Sequence, residues 1–224
     1  MGAAGMNKKN NLTVVSIDDV LRWGWSITDL AGCLTKIDAS TLGCVWTIKQ
    51  WVPILESRRA IFPMLAIADN NIVGYTFCFA LTDRTFQTAM NGSLKEEDIS
   101  ISIISPMNSA GDYNLYCDTF AIMPDFQSVK SLLLLLGGYI NELIRLAQQG
   151  IYMKRICTKI ISDSGVSLAS LLSMKPVGNH ISGGNMYFGT FHPLKGFYKK
   201  NSQLVELYQD HFKNRFISKE HHDQ

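Results

Sequence analysis

The sequence predicts a mixed α/β fold, a central sheet flanked by helices, and three stretches carry that expectation. The run 116–150 (YCDTFAIMPDFQSVKSLLLLLGGYINELIRLAQQG) reads as a strand that stops at Pro124 and launches a long helix. Ahead of it, 62–68 and 72–81 are two strand-like runs joined by Asp69-Asn70-Asn71, residues that tolerate the positive φ of a tight hairpin turn. Behind it, 152–161 (YMKRICTKII) alternates and then becomes continuously apolar, as a buried strand beside 116–123 would.

Taken in order, 1–11 is expected to be a disordered tail. Residues 12–17 (LTVVSI) are short, branched and β-prone, and Asp18-Asp19 are placed to cap a helix from Val20. The stretch 35–43 is turn-rich. Residues 44–59 space their apolar side chains helically, with Pro53 either kinking that helix or starting a second segment. All four tryptophans, Trp23, Trp25, Trp46 and Trp51, fall in this first quarter and are expected as core or as a substrate-side wall.

Residues 83–112 are polar, with one strand-like run at 99–104. They are read as an insertion that shapes a substrate pocket or a partner surface, since long connections are more often functional than idle. The helix of the central run starts at Ser128 or Val129, and Gly137-Gly138 offers a place for a bulge. A helix over 164–173 follows, then strands 175–181 and 185–191 around the turn Ser182-Gly183-Gly184, and a final amphipathic helix over 202–212. Residues 213–224 are expected as a tail, and 12–212 as one domain.

Composition removes several functions. Charged residues make up 18% and the net charge is +2, too small to imply a nucleic acid or a lipid surface as partner. No apolar segment approaches the length needed to cross a bilayer, so no membrane association is expected. Five scattered cysteines, Cys33, Cys44, Cys78, Cys117 and Cys157, lack metal or redox spacing; they read as buried small hydrophobes in a reducing, cytoplasmic setting. The five histidines are C-terminal and show no metal-ligand spacing, and His180 is expected at the surface, with a place facing the pocket as its alternative. No GxSxG, P-loop or GxGxxG pattern occurs.

The order of residues in ADNNIVGYTF, the run 116–150 and SGVSLASLLSMKPVG resembles the GNAT superfamily of acyl-CoA-dependent N-acetyltransferases, over most of 62–178. In that family a strand ending in an apolar triplet and Pro leads to a loop [QR]-x-x-G-x-[GA] whose amides hold the coenzyme A pyrophosphate. Phe120, Ala121, Ile122, Pro124 and Gln127 fall in place, while Lys130 and Leu132 stand where the two small residues belong. Lys130 reads either as a cation on the phosphates or as a solvated lysine at a helix start.

The resemblance implies an acyltransferase moving an acetyl or other acyl group from acyl-CoA to an amine on a small molecule or peptide. Phe120, Ala121 and Ile122 would pair with pantetheine, and Gln127, Ser128, Val129, Lys130, Ser131 and Leu132 would cradle the pyrophosphate. Asp118 would be the general base, or else a strand carboxylate bonded to a neighbouring loop. Strand alternation sets Asp118 on one face with Tyr116, which would assist it, and with Phe120 and Ile122.

The tyrosine that protonates the leaving thiolate in this family aligns with Ala169, and the Gly-Phe pair after it with Ser173-Met174. Ser167, Tyr187 or solvent is left for that task. No metal is implied. Two other readings stay open: a catalytically inactive GNAT-like interaction or regulatory module, and an acyltransferase fed by an acyl-carrier-protein thioester. The family's habit of pairing through terminal strands makes a homodimer an expectation.

Overall fold

The computed structural model describes residues 12–41, 46–67 and 70–220. The expected 1–11 tail, Cys44, Asp69, His221 and His222 lie outside them. The chain forms two compact units, one running to Phe77 and including Thr119–Tyr139, the other made of Cys78–Asp118 with the chain from Ile140 onward.

The first unit opens with β1 (Thr13–Val15) and α1 (Ile17–Arg22). The cap is Ser16 rather than the expected Asp18-Asp19 pair, and the helix starts at Ile17. Ser16 Oγ accepts from the Asp19 amide at 3.2 Å while Asp19 Oδ2 accepts from the Ser16 amide at 2.7 Å, a reciprocal box that satisfies two end amides. Next comes α2 (Ile27–Thr41), a helix across much of the stretch expected as turns. Ser40 and Thr41 turn their hydroxyls back onto the Ile37 carbonyl, at 2.8 and 2.7 Å, so groups that favour turns are satisfied within the helix.

Helix α3 (Ile48–Ser57) holds Pro53 inside one continuous element and ends where Arg58 turns left-handed at φ 54°. Strand β2 (Ala60–Ile61) precedes the predicted hairpin, β3 (Met64–Ile67) and β4 (Asn71–Leu81), with Asn70 at φ 56°. Strand β1 pairs antiparallel with β3, and β3 with β4.

Trp46 and Trp51 lie with ring centroids 4.6 Å apart and planes tilted by 33°, and Trp51 meets Phe62, Tyr75 and Phe77 edge-on, so these two indoles are core. Trp23 and Trp25 are half-buried. Asp38 of α2 is buried and accepts a hydrogen bond from the Tyr75 hydroxyl.

Strands β4 and β6 (Gly111–Ile122) and helix α5 (Val129–Gln148) each run from one unit into the other. Strand β6 starts five residues before the expected 116. Gly111, Asp112 and Asn114 are poor strand formers, but pairing with β7 (Ile151–Ile160) overrides propensity there. Helix α5 is unbroken at Gly137-Gly138: a Cβ on Gly138 would lie 2.5 Å from Val14 Cγ1 and 2.9 Å from Pro63 Cβ, so the glycine permits close packing instead of a bulge.

In the second unit the connection 83–112 holds α4 (Asp83–Met90), a 3-10 turn at Glu96–Asp98 and only a two-residue β5 (Ile104–Ser105) paired with the end of β4. The expected strand 99–104 is mostly turn. Helix α4 went unread because its sequence is polar apart from buried Phe86 and Ala89. Strand β7 lies parallel to β6; after it come α6 (Asp163–Leu171), β8 (Lys175–Asn179) and β9 (Asn185–Thr190), in the order β6-β7-β9-β8.

Helix α7 (Ser202–Glu220) extends through most of the expected 213–224 tail. It is held by the buried Tyr208, whose hydroxyl accepts from the Met153 amide at 3.0 Å, and by His211, which bonds Asp112 at 2.8 Å and stacks on Tyr152 at 3.7 Å. Among the described residues no helix is long and apolar enough to cross a membrane.

Candidate active site

The parallel ladder between β6 and β7 ends at the rung Tyr116 with Cys157, although β7 continues for three more residues and β6 for six. Among the described residues the parallel pairing goes no further than that rung, and the end of a ladder is where a strand edge becomes available to an extended amide-bearing ligand. Within the first unit β6 stays bound to β4 to its end, the Met123 amide donating to the Val73 carbonyl at 2.8 Å. Gly74 allows this approach: a Cβ there would sit 2.8 Å from the Ala121 oxygen.

The side chains of the expected pantetheine-binding residues are committed to packing. Phe120 meets Tyr139 of α5 edge-on, Phe120 and Ile122 lie against Leu65, Val73 and Leu135, and Ala121 is buried. Only backbone groups of Phe120 and Ile122 remain to offer, and the Ile122 carbonyl already accepts from Gln127 Nε2 at 2.9 Å.

The start of α5 narrows the expected phosphate cradle. The Gln127 amide donates to the Pro124 carbonyl, the Ser131 amide to Ser128 Oγ at 3.1 Å, and the Leu132 amide to the Ser128 carbonyl at 3.0 Å. Ser131 is buried and its hydroxyl donates to the Phe126 carbonyl at 2.6 Å, locking the turn ahead of the helix. What points outward from the first turn is the pair of amides of Val129 and Lys130, both on exposed residues. Of the six expected cradle residues, then, two keep outward first-turn amides, while Gln127, Ser131 and Leu132 use theirs inside the fold.

Tyr116 and Asp118 sit on β6 in the second unit. Tyr116 is buried against Phe79, and its hydroxyl is held well above the usual phenol range by burial first, then by the negative charge of Asp118 and by Cys157, Glu96 and Cys117. It stays protonated at neutral pH and suits a donor rather than a base. Asp118 is half-exposed.

Two groups here were not read from the sequence. Glu96, on the 3-10 turn of the connection, pairs with Lys159 of β7, 63 residues away in the chain. His180, expected at the surface, is buried: its Nε2 bonds the Leu94 carbonyl at 2.7 Å and its Nδ1 accepts from the Ser182 amide at 3.1 Å. The first contact calls for a proton on Nε2 and the second for the lone pair on Nδ1.

At the positions that the resemblance aligns with the family's tyrosine and its Gly-Phe pair, Ala169 is buried on α6, Ser173 turns left-handed at φ 57°, and Met174 is buried. The Ser167 hydroxyl bonds the Asp163 carbonyl at 3.1 Å and Tyr187 is buried. Cys78 and Cys117 bring their sulfurs to 3.0 Å, and Cys157 is buried as well; burial pushes the thiols of Cys78 and Cys157 well up. Among the described residues no group of histidine, cysteine or carboxylate side chains is arranged to hold a metal.

No family model matches the sequence, and no curated protein matches it. Solved structures do. The loading GNATL domain of CurA from Lyngbya majuscula superposes with a TM-score of 0.52 at 9% identity, covering 82% of this chain and 98% of that one. The GphF GNAT-like decarboxylase in complex with isobutyryl-CoA gives 0.52 at 10%, covering 81% and 99%. PH1933 from Pyrococcus horikoshii OT3 gives 0.51 at 11%, covering 80% and 98%. Identities this low speak to architecture alone. The parallel pair that ends at the Tyr116–Cys157 rung, the helix launched from the end of its first strand, and these superpositions agree: the chain has the GNAT fold.

Proposed function

We propose that the protein transfers an acyl group, acetyl in the simplest case, from acyl-CoA to an amine on a small molecule or peptide. The observation that carries this reading is the end of the β6–β7 ladder at Tyr116 and Cys157, with β6 continuing to Ile122 and α5 starting seven residues later. Backbone groups of Phe120 and the amide of Ile122 would bind pantetheine, and the amides of Val129 and Lys130, with the positive end of α5 behind them, would take the pyrophosphate. Phosphate fits two outward amides beside an exposed lysine, although the site is leaner than a six-residue cradle.

In the transfer step the neutral amine attacks the thioester carbonyl. The N–C bond forms, the C–S bond breaks, the nitrogen's proton passes to Asp118 and coenzyme A leaves as its thiolate. Tyr116, protonated and two residues away on the same strand, donates a hydrogen bond near the reacting centre. No donor on α6 is needed, because a thiolate leaves without prior protonation.

A second reading, a GNAT-like interaction module without catalysis, is favoured by the internal use of the Gln127, Ser131 and Leu132 amides. Calorimetry with acetyl-CoA separates the two. The transfer reading expects binding that weakens when Lys130 becomes Glu, and absence of binding to the intact protein would leave only the module.

A further inference from the structure

A cavity of about 320 Å³, open to solvent, lies in the second unit between α7 and the chain that leaves β9, lined by His192, Gln209, Phe212 and Lys213. That volume falls at the small end of the range for ligand sites. Gln209, Phe212 and Lys213 stand three and four residues apart on α7 and share one face of the helix, while His192 stacks on the Phe212 ring at 4.2 Å with the planes 29° apart. The walls are fixed from behind, because three of the four lining residues each follow an anchored neighbour. Phe191, ahead of His192, is buried against Tyr198 and Tyr208 at 4.8 and 5.9 Å, and its amide donates to the Lys154 carbonyl at 3.1 Å. Tyr208, ahead of Gln209, accepts from the Met153 amide, and His211, ahead of Phe212, bonds Asp112.

The polar groups around this cavity are not used by the fold. Among the described residues the side chains of His192, Gln209 and Lys213 make no hydrogen bond and no ion pair, and all three are exposed. Asp210, the nearest carboxylate along the chain, makes no ion pair with Lys213; its charge acts on the Tyr152 phenol. What converges is one full positive charge, a carboxamide N–H and an imidazole N–H beside a flat aromatic surface. A single negative charge spread over two coplanar oxygens matches the lysine and the carboxamide, each oxygen taking one donor, and a flat apolar body behind it covers Phe212. A phosphate dianion would leave its second charge unmatched, and a cation would be repelled by Lys213.

We propose that this cavity is a binding site for a small aromatic carboxylate, a monoanion held at Lys213 Nζ and the Gln209 carboxamide with its ring against Phe212 and His192. None of the four residues has a part in the transfer reading, so the inference stands or falls without it.

The test titrates 3-phenylpropanoate into the full-length protein by calorimetry and ligand-detected NMR, with 3-phenylpropanol and phenyl phosphate as the neutral and doubly charged comparisons. Binding of the acid with a dissociation constant of about 1 mM or tighter is expected, roughly tenfold tighter than either comparison. Lys213→Met should weaken it about tenfold, and Lys213→Arg should retain it. Gln209→Glu should weaken it further, since the new carboxylate repels the ligand and pairs with Lys213 four residues on. Both positions are exposed, so melting temperatures should stay within error of the parent's. Phenyl phosphate or the alcohol binding as tightly as the acid, no binding of the acid up to about 10 mM, or a Lys213→Met variant that binds like the parent would each overturn the proposal. Saturating acetyl-CoA should leave the acid's affinity unchanged; competition between the two would put the acid in the coenzyme's site and overturn the proposal as well.

Discussion

Cys78 of β4 and Cys117 of β6 hold their sulfurs 3.0 Å apart in the interior of the second unit, Cys117 lying one residue beyond the Tyr116–Cys157 rung, whose own thiol is also buried. Both are free, and water is excluded from them. Since the thiolate is the reacting form and burial disfavours it, Cys78 and Cys157 should resist alkylation. In native protein at pH 8, iodoacetamide is expected to label the half-buried Cys33 first among the described cysteines; Cys78, Cys117 and Cys157 should react only after denaturant is added. Rapid native labelling of Cys78, located by peptide mass spectrometry, would contradict the packing described.

Trp51 is the hub of the aromatic group on α3. Replacing it with Ala should destabilise the protein by about 3–5 kcal/mol, the range for emptying a large buried aromatic site. Its Nε1 finds no hydrogen-bond partner among the described residues, so Trp51→Phe should cost much less, no lost bond being added to the lost area. Urea unfolding of the two variants checks the ranking.

Ser128 caps α5 through the Ser131 amide, and Ser128→Ala should cost about 1 kcal/mol of stability. It also frees the Ser131 amide. If phosphate binds at this end, acetyl-CoA affinity in calorimetry should change by no more than a few-fold, whereas Lys130→Glu, which alters charge and leaves the cap alone, should weaken it more.

His211 provides a pH handle. Burial holds its pKa below the ordinary 6.5, so the folded state prefers the neutral ring. The sign follows: the unfolded chain binds the proton more readily, and stability is complete above pH 6.5 and declines as pH falls below it. His211→Gln keeps a donor for Asp112 without titrating and should flatten the curve between pH 5 and 7. The lowered carboxyls of Asp19 and Asp83 act in a separate window, below their ordinary 3.8.

Much of the frame was legible because single residues state their geometry locally. Pro124 ends a strand whatever surrounds it, Asn70 accepts a positive φ, and Ser182-Gly183-Gly184 can hardly be other than a turn. Helices α2 and α4 were less legible: hydroxyls at Thr35, Ser40 and Thr41 suit turns equally well until their carbonyl partners are known, and α4 buries only Phe86 and Ala89. The first five residues of β6 were missed because Asn114 is held by Asp83 at 2.8 Å and Arg155 at 2.8 Å, partners far away in the chain. The site divided in the same manner. Tyr116 and Asp118, the pair proposed for the transfer step, lie on a strand that can be read locally, whereas Glu96 and Lys159 meet across 63 positions, a contact no local spacing encodes.

The passage of β6 from one unit to the next has a consequence for how such a chain can diverge. Asp118 closes the stretch belonging to the second unit and Thr119 opens that of the first, on one uninterrupted strand. Inserting or deleting a single residue between Asp118 and Phe120 would rotate every following side chain by half a turn, taking Phe120 and Ile122 out of the core beneath α5. Descendants of this sequence are therefore free to exchange residues along that strand and to lengthen the connection at 83–112, but they are confined to a constant count between the carboxylate and the helix.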